Sequence, residues 1–256
     1  MLIGPAPDTF EKDYAPMKKV VAILLDESGS MSANATATVG AVNEMIRNFR
    51  TGPDAAEITL FLTRFDSTKL DTKNWPAAEA PDLTDYRPGA ATPLLDAMGR
   101  TLTHVAQIAT VGDKVAFIVQ TDGFENASVE YTKEAVAGLV EARKKDGWDF
   151  TFLGADFDAF DANAAGTSMG MSGLRSSGYA SASVGATMNV MAQSTRSYFS
   201  GGRDANAPLT QAELDAMAAP TTGPIPPVKM QTPQTPTPPA GPQKTKRTQS
   251  HWPSPA

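Results

Sequence analysis

The stretch that decides the fold reads VVAILLDESGS and covers residues 20–30. Its apolar half has the length and the β-branched residues of a strand that is buried on both faces of a parallel sheet. Its polar half places Asp26, Ser28 and Ser30 on a tight loop that contains a glycine. Ligands of open α/β sheets gather where such strands end, and hard divalent cations prefer carboxylate and hydroxyl oxygens. The stretch therefore favours a metal site at the tip of a central strand.

The Asp-x-Ser-x-Ser pattern by itself is short and built from common residue types. Asp and Ser also cap helices, so Asp26 and Ser28 alone would equally suit the start of the next helix. Two other segments favour the metal site: residues 115–123, VAFIVQTDG, are a strand-like run that ends in an aspartate, and residues 88–97, PGAATPLLDA, place a threonine before a helix-starting proline. Five oxygen-bearing residues are thus expected to converge from three loops at one edge of the sheet: Asp26, Ser28, Ser30, Thr92 and Asp122.

In order, spacing and flanking residues, these five positions resemble the metal-ion-dependent adhesion site of the von Willebrand factor type A (VWA) family. The resemblance covers roughly residues 18–200. It implies an α/β fold of the Rossmann-like, doubly wound type, in which a mostly parallel central sheet has one short antiparallel edge strand and helices on both faces. It also implies a protein-binding module that carries out no chemistry.

The resemblance assigns a role to each of the five residues. Ser28 and Ser30 would bind Mg²⁺, or alternatively Mn²⁺ or Ca²⁺, directly through their hydroxyl oxygens. Thr92 would bind directly or through water, and Asp26 and Asp122 would act mostly through bound waters and hydrogen bonds to the serines. Because the direct ligands are neutral, the cation would still attract an acidic side chain of a partner protein, and Mg²⁺ suits a site that keeps water-filled positions.

Glu27 departs from the expected pattern because it adds a carboxylate beside Asp26. On an extended segment its side chain points away from that of Asp26. Its charge would either weaken the binding of an acidic partner or strengthen the retention of the cation, and the sequence favours neither effect.

Composition narrows the classes of function. The chain has 256 residues, of which 41% are hydrophobic, and this is enough for one well-cored domain. It has no cysteine, and its two histidines cannot build a zinc site alone. The sequence shows neither the roughly 20 consecutive apolar residues of a membrane span nor the apolar core of a secretory signal. These features predict a cytoplasmic protein, or a virion-associated one if a phage encodes it.

The hydrophobic pattern divides the chain into an irregular lead-in over residues 1–17, a VWA domain over residues 18–202 and a Pro/Thr/Gln-rich basic tail over residues 203–256. Residues 220–256 hold 11 of the 20 prolines, a composition that predicts a disordered or extended segment. Beyond residue 215 there are four basic residues and no acidic one, so the net charge of −6 divides into −10 before that point and +4 after it. The acidic folded part argues against nucleic-acid binding.

Strands and helices are predicted to alternate along the domain, which is typical of a parallel sheet covered on both faces. The predicted strands cover residues 20–25, 58–65, 115–121 and 148–153, with a short antiparallel partner near residues 69–70 and a loop over residues 71–89. The predicted helices cover residues 39–49, 93–108, 130–145 with Ser128 as its cap, 158–165 and 182–199.

The principal alternative is an enzyme. Asp26 at a strand end, with Mg²⁺ nearby, resembles the nucleophile of a Mg²⁺-dependent phosphohydrolase or phosphotransfer enzyme. Such sites usually add a second close aspartate and a lysine, but Glu27 points away and Lys114 precedes its strand. Residues 166–170, GTSMG, match an esterase nucleophile elbow, yet no strand pattern precedes them and no suitable histidine follows. The remaining candidates are interpreted as packing or helix-start residues: His104, Asp156, Asp158 and Asp161.

Two segments, GAATPL at residues 89–94 and TDGFENAS at residues 121–128, look most like the intracellular bacterial or phage members of the VWA family. Those members often act alongside AAA+ ATPases of the MoxR type, or in stress and tellurite-resistance systems. The resemblance therefore suggests a protein partner bound through the metal site, either a MoxR-type AAA+ ATPase or, in a phage, a structural or assembly protein. It suggests no membrane partner.

Overall fold

The computed structural model describes residues 17–122, 125–155, 167, 175–179 and 183–218. The strands cover β1 Lys19–Asp26, β2 Ile58–Asp66, β3 Lys69–Pro76, β4 Lys114–Thr121, β5 Asp149–Ala155 and β6 Arg175–Tyr179. The helices cover α1 Ala35–Thr51, α2 Leu94–Ile108, α3 Lys133–Lys145, α4 Val184–Phe199 and α5 Gln211–Ala218. Short 3-10 turns lie at Gly29–Asn34 and Ala77–Glu79.

One six-stranded sheet runs in the order β3-β2-β1-β4-β5-β6. Every neighbouring pair is parallel except β2 and β3, which are antiparallel. The predicted mostly parallel sheet with an antiparallel edge strand is therefore confirmed. β1 lies between β2 and β4, and its end, Asp26, is aligned with Phe65 of β2. The carboxyl ends of these strands consequently meet at one edge of the sheet.

The apolar run of β1 serves two cores because its side chains alternate between the faces of the sheet. Val21, Ile23 and Leu25 belong to the core that includes residues of α1 and α4. The side chains of Val20, Ala22 and Leu24 belong to the core that includes residues of α2 and α3. A strand that is buried on both faces explains the unbroken apolar run, and it confirms that helices cover both faces.

The antiparallel edge strand is longer than the sequence pattern predicts. β3 continues to Pro76, so the prediction of a loop from residue 71 onward is wrong for its first six residues. The hydroxyls of Thr63 and Thr72 lie 2.9 Å apart across the two strands, and Trp75 packs against the core. These cross-strand contacts stabilise a strand whose own sequence is polar.

Regular structure also continues past residue 202, where the predicted domain ends. The side chain of Asn206 accepts a hydrogen bond from the Phe150 amide at 2.9 Å, and Met217 in α5 is buried in the core. Residues 203–218, assigned by the sequence to the tail, therefore pack on the domain. Residues 219–256, the predicted helix over residues 158–165 and the three aspartates at 156, 158 and 161 lie outside the described residues, as does GTSMG apart from Thr167.

β6 has no counterpart among the predicted strands because Arg175–Tyr179 shows no apolar alternation. Its first residue compensates for this: the buried Arg175 guanidinium pairs with Asp149 of β5 and donates to the Thr151 hydroxyl at 3.1 Å. Among the described residues, no helix is both long and apolar enough to cross a membrane.

Candidate metal-binding site

Asp26 is held rigidly at the point where β1 ends beside β4. Its side chain is completely buried. One carboxylate oxygen, Oδ1, accepts a hydrogen bond from the Ser28 amide at 2.7 Å, and the other, Oδ2, accepts one from the Thr121 hydroxyl at 2.6 Å. The two strands run parallel and in register, so the chain folds this carboxylate against the last residue of β4.

From Asp26 a chain of oxygen atoms leads towards solvent. The hydroxyl oxygens of Ser28 and Ser30 lie 3.1 Å apart, and Ser30 donates a hydrogen bond to Oδ1 of Asp122 at 2.7 Å. Ser28 is buried, Asp122 is half-buried and Ser30 is exposed. Four of the five residues predicted from the sequence thus form one connected network that opens at the edge of the sheet.

The structure places Thr92, the fifth residue, in the loop that runs beside this network. The Gly89 amide donates to the Glu27 carbonyl at 2.8 Å, and the Gly29 amide donates to the Ala90 carbonyl at 3.0 Å. A Cβ atom at Gly29 would lie 3.3 Å from that carbonyl oxygen, so a glycine suits this close approach. Thr92 itself is buried, at 3% exposure. The three predicted loops therefore do meet at one edge.

The described hydrogen bonds of Asp26 come from neutral groups. Burial raises the pKa of Asp26, as does the nearby charge of Asp122, and the hydrogen bonds from Thr121 and Ser28 offset only part of this effect. Those hydrogen-bond partners are neutral, so they do not themselves balance the charge of the Asp26 carboxylate. Carboxylate and hydroxyl oxygens around such a charge suit a hard divalent cation.

The donor set differs from that of an ordinary carboxylate metal site. Within the described ranges, no three His, Asp or Glu residues form a group that could hold a metal ion. The candidate site has two carboxylates, those of Asp26 and Asp122, and its other donors are hydroxyls. A cation here would therefore depend on oxygen atoms of serine and threonine.

Glu27 is buried but is compensated from within the chain. Its carboxylate lies 3.0 Å from the Arg64 guanidinium and 2.6 Å from Lys69 Nζ, and it accepts a hydrogen bond from the Arg87 amide at 3.0 Å. Arg64 and Lys69 belong to the β2–β3 hairpin. The extra negative charge of Glu27 is thus neutralised on the side of the strand opposite to Asp26. The sequence near Glu27 does not predict this pairing.

The loop after β4 is hydrogen-bonded to the start of α2 through residues 125–128, which form a clasp. Asn126 accepts a hydrogen bond from the Thr92 amide at 2.9 Å and donates its own amide to the Thr92 carbonyl at 3.1 Å. Glu125 accepts from the Leu95 amide at 2.8 Å, and the Ser128 hydroxyl accepts from the Asp96 amide at 3.0 Å. Residues 125–128 therefore hold the backbone of the Thr92 loop in place.

The prediction that Ser128 caps the helix after β4 is wrong. Ser128 caps α2, while the side chain of Thr132 accepts from the Ala135 amide and caps α3, which begins at Lys133. The signal that could have revealed the clasp is the run of capping residues, Glu-Asn-Ala-Ser, which lies too far from α3 to cap it.

The position of Asp26 does not suit the nucleophile of a phosphohydrolase or phosphotransfer enzyme. Asp26 has no solvent exposure, and both of its oxygens accept hydrogen bonds, so neither is presented to a substrate. His104 is exposed on α2, and its ring meets the edge of Phe61 with 6.0 Å between centroids, so it makes a packing contact without being buried.

No protein-family model matches this chain, and no curated protein matches it in sequence. Solved structures do resemble it. The pilus adhesin SpaC from Lactobacillus rhamnosus GG, in its open conformation, matches with a TM-score of 0.54 and 16% identity over 72% of this chain and 31% of that chain. This chain thus spans less than a third of the adhesin.

Two further structures match at 11% identity. The D319A mutant of the PilB minor pilin from Streptococcus sanguinis has a TM-score of 0.52 and covers 75% of this chain and 65% of that chain. The vWF domain of the type V pili tip protein Mfa5 from Porphyromonas gingivalis has a TM-score of 0.50 and covers 70% of this chain and 95% of that chain. Together with the sheet order and the layers, these likenesses establish that the chain has a VWA-like fold.

Proposed function

We propose that this chain is a protein-binding module that uses a divalent cation to hold an acidic side chain of its partner. The cation would be bound at the sheet edge by the five converging residues: Asp26, Ser28, Ser30, Thr92 and Asp122. The observation that carries the proposal is the hydrogen-bond network that leads from buried Asp26, whose described partners are neutral, through Ser28 to the exposed hydroxyl of Ser30.

Each residue has a task that follows from its position. The hydroxyls of Ser28 and Ser30 supply neutral oxygen donors, and Thr92 supplies another from the neighbouring loop. The carboxylates of Asp26 and Asp122 orient those donors and balance the positive charge. A bound Mg²⁺ would supply an electrophilic centre that a carboxylate of the partner can coordinate. Mn²⁺ or Ca²⁺ are the alternatives.

The compensation of Glu27 supports an acidic partner. An unpaired carboxylate beside the site would repel the partner's acid, since like charges at close range disfavour each other. Arg64 and Lys69 pair with Glu27 and so reduce that repulsion. Of the two effects that the sequence left open for Glu27, repulsion of an acidic partner is therefore the less favoured one, and Asp26 and Asp122 are the carboxylates that a cation would balance.

The identity of the partner follows only from the family resemblance. It stays a prediction that the partner is a MoxR-type AAA+ ATPase or a phage structural protein. The cytoplasmic location also stays a prediction. A pull-down with each of these two classes of protein, in Mg²⁺ and in chelator, tests them directly, because retention must be lost when the cation is removed.

Calorimetric titration with Mg²⁺ and Mn²⁺ tests the metal site. We expect the wild type to bind one cation and Asp26→Asn to bind at least about 100-fold more weakly, a difference of about 2.7 kcal/mol. Asp113→Asn is the matched control, because Asp113 also accepts backbone hydrogen bonds but lies before β4 at the opposite edge of the sheet. Equal heats in the wild type and in Asp26→Asn would refute the proposal.

A further inference from the structure

Ala90, in the loop between β3 and α2, has a left-handed backbone with a φ of 61°. Residues with a Cβ atom rarely adopt this region, because the Cβ crowds the following carbonyl oxygen. Among the residues that the structure describes, Asn206 is the other residue besides glycine with a positive φ. Its side chain compensates locally by bonding to the Phe150 amide and to the Trp148 carbonyl. The methyl group of Ala90 cannot form such bonds.

Backbone contacts on both sides hold the left-handed turn of Ala90 in place. The Ala90 carbonyl accepts a hydrogen bond from the Gly29 amide at 3.0 Å. The amide of the preceding residue donates to the Glu27 carbonyl at 2.8 Å, and the carbonyl of the following residue accepts from the Ser67 amide at 3.0 Å. Three consecutive residues are thus bonded to the loop after β1 and to the turn between β2 and β3. Strained residues persist where the surrounding structure fixes them in this way, and they cluster at functional sites.

The turn lies where two loops of the candidate metal site meet. Gly29 stands between the two serines of the site, and Thr92 follows Ala90 by two residues. The Thr92 amide is itself bonded to the Asn126 side chain at 2.9 Å. With an ordinary negative φ, the chain before and after Ala90 would point in different directions. The contact with Gly29 and the contact of Thr92 with Asn126 would then exclude each other.

We propose that Ala90 is a positioning residue of the candidate metal site. Its left-handed backbone holds the Thr92 loop against the loop that carries Ser28 and Ser30, so the oxygen donors of both loops are placed before a cation arrives. Such pre-organisation strengthens binding because the cost of ordering the site has already been met. Ala90 supplies no ligand, and its side chain is exposed. The inference rests on the proposed function and adds the residue that sets the geometry of its site.

Substitutions at position 90 separate the backbone conformation from the size of the side chain. Glycine and asparagine adopt the left-handed region readily, whereas valine, which is comparable in size to asparagine, is β-branched and adopts it rarely. We expect Ala90→Gly and Ala90→Asn to bind Mg²⁺ at least as tightly as the wild type. Ala90→Val should bind it about tenfold more weakly, because the cost of the left-handed backbone rises. Calorimetric titration of the full chain with Mg²⁺ measures these affinities.

Ala78→Val is the matched control. Ala78 is an exposed alanine of the same loop, in the 3-10 turn Ala77–Glu79, and it is not among the residues with a positive φ. Its Mg²⁺ affinity should stay within about twofold of the wild type, as for ordinary surface substitutions. Urea unfolding in EDTA shows whether each variant folds, and Ala90→Thr, also β-branched, takes the place of Ala90→Val if that variant does not. In the same experiment Ala90→Gly should raise the unfolding midpoint, because glycine relieves the strain.

The outcomes separate the inference from the proposed function. If the wild type binds Mg²⁺ and Ala90→Val binds it as tightly, or if Ala90→Asn loses as much affinity as Ala90→Val, the inference is overturned and the proposed function stands. A midpoint of Ala90→Gly below that of the wild type also overturns the inference alone. If the wild type binds no Mg²⁺, or if Asp26→Asn binds it equally well, both are overturned. A loss of affinity confined to the β-branched variants at position 90 supports the inference.

Discussion

Two neighbouring carboxylates at the end of β1 are equally buried but differently surrounded. Glu27 meets the β2–β3 hairpin, where Arg64 and Lys69 neutralise it. Asp26 meets β4 and its own loop, where the Thr121 hydroxyl and the Ser28 amide are its partners. Both side chains are 0% exposed. The hairpin side therefore carries its own counter-charges, whereas on the β4 side the described partners of Asp26 are neutral.

The comparison teaches that burial alone does not show whether a carboxylate is neutralised within the fold. A buried charge is costly unless it is paired, and the pairing decides its role. Internal cations make Glu27 part of the packing between β1 and the hairpin. Burial, and to a lesser degree Asp122, raises the pKa of Asp26, and the hydrogen bonds from its neutral donors offset only part of that rise. Under the proposed function, a bound cation would supply the missing counter-charge.

The largest expected effect comes from removing the charge of each carboxylate in turn. Glu27→Gln should lower the free energy of unfolding by about 3 kcal/mol, because Arg64 and Lys69 lose their buried counter-charge. Asp26→Asn should change it by less than about 1 kcal/mol in chelator, because the amide keeps the shape and removes an uncompensated charge. Urea unfolding in EDTA measures both values. A loss in Asp26→Asn as large as that in Glu27→Gln would abolish the contrast.

An intermediate effect is expected from Asp96, which braces the β4 side through N–H donors rather than cations. Burial raises its pKa, but the amides of Val129, Tyr131 and Glu130, together with Arg100, outweigh burial and lower it overall. A carboxyl with a lowered pKa stabilises the fold above its unfolded pKa of about 3.9, and this stabilisation is lost as the pH falls through the folded value. Asp96→Asn should therefore cost about 2 kcal/mol at pH 7 and much less near pH 2.

Urea unfolding between pH 2 and pH 7 in EDTA checks this sign. Asp113→Asn should show the same pH dependence, because burial raises the pKa of Asp113 but the amides of Thr110 and Lys18 lower it overall. Only Asp96→Asn should also weaken cation binding, since Asp96 lies next to the Thr92 loop. A stability difference between Asp96→Asn and the wild type that stays constant with pH would contradict the assignment.

The smallest effect concerns two helical glycines. A Cβ atom at Gly138 of α3 would meet open space, so Gly138→Ala should stabilise the protein by about 0.5–1 kcal/mol through helix propensity. A Cβ atom at Gly99 of α2 would lie 2.3 Å from the Tyr131 ring, so Gly99→Ala should instead destabilise it by about 1 kcal/mol. Thermal or urea unfolding distinguishes the two signs. Equal stabilisation would mean that the loop after β4 is not braced on α2.

The architecture could be predicted because it depends on short-range patterns. The apolar run of β1 needs burial on both faces, and its alternation with helical segments leads to a parallel sheet. The carboxyl ends of parallel strands meet at one edge, so Asp26 and Asp122 had to lie near each other once the strand pattern was read correctly. Their role as metal ligands stays a prediction that the titration tests.

The remaining features depend on contacts between residues far apart in the chain. β6 and the extension of β3 have polar sequences, and they are strands because Arg175 pairs with Asp149 and Thr72 meets Thr63. Such pairs follow from the register of the strands, which no local periodicity encodes. The packing of residues 203–218 on the domain likewise depends on contacts with residues far away in the chain, such as the hydrogen bond between Asn206 and Phe150.

The sequence by itself determined the α/β class, the alternation of strands and helices along the chain, and the placement of four oxygen-bearing residues at one edge of the sheet, because hydrophobic period and strand polarity are local properties. The tertiary structure alone decided which carboxylate is compensated. Asp26 and Glu27 are adjacent in sequence and identical in charge, and only the register of β1 against β2 and β4 gives one of them two cations and the other two neutral donors.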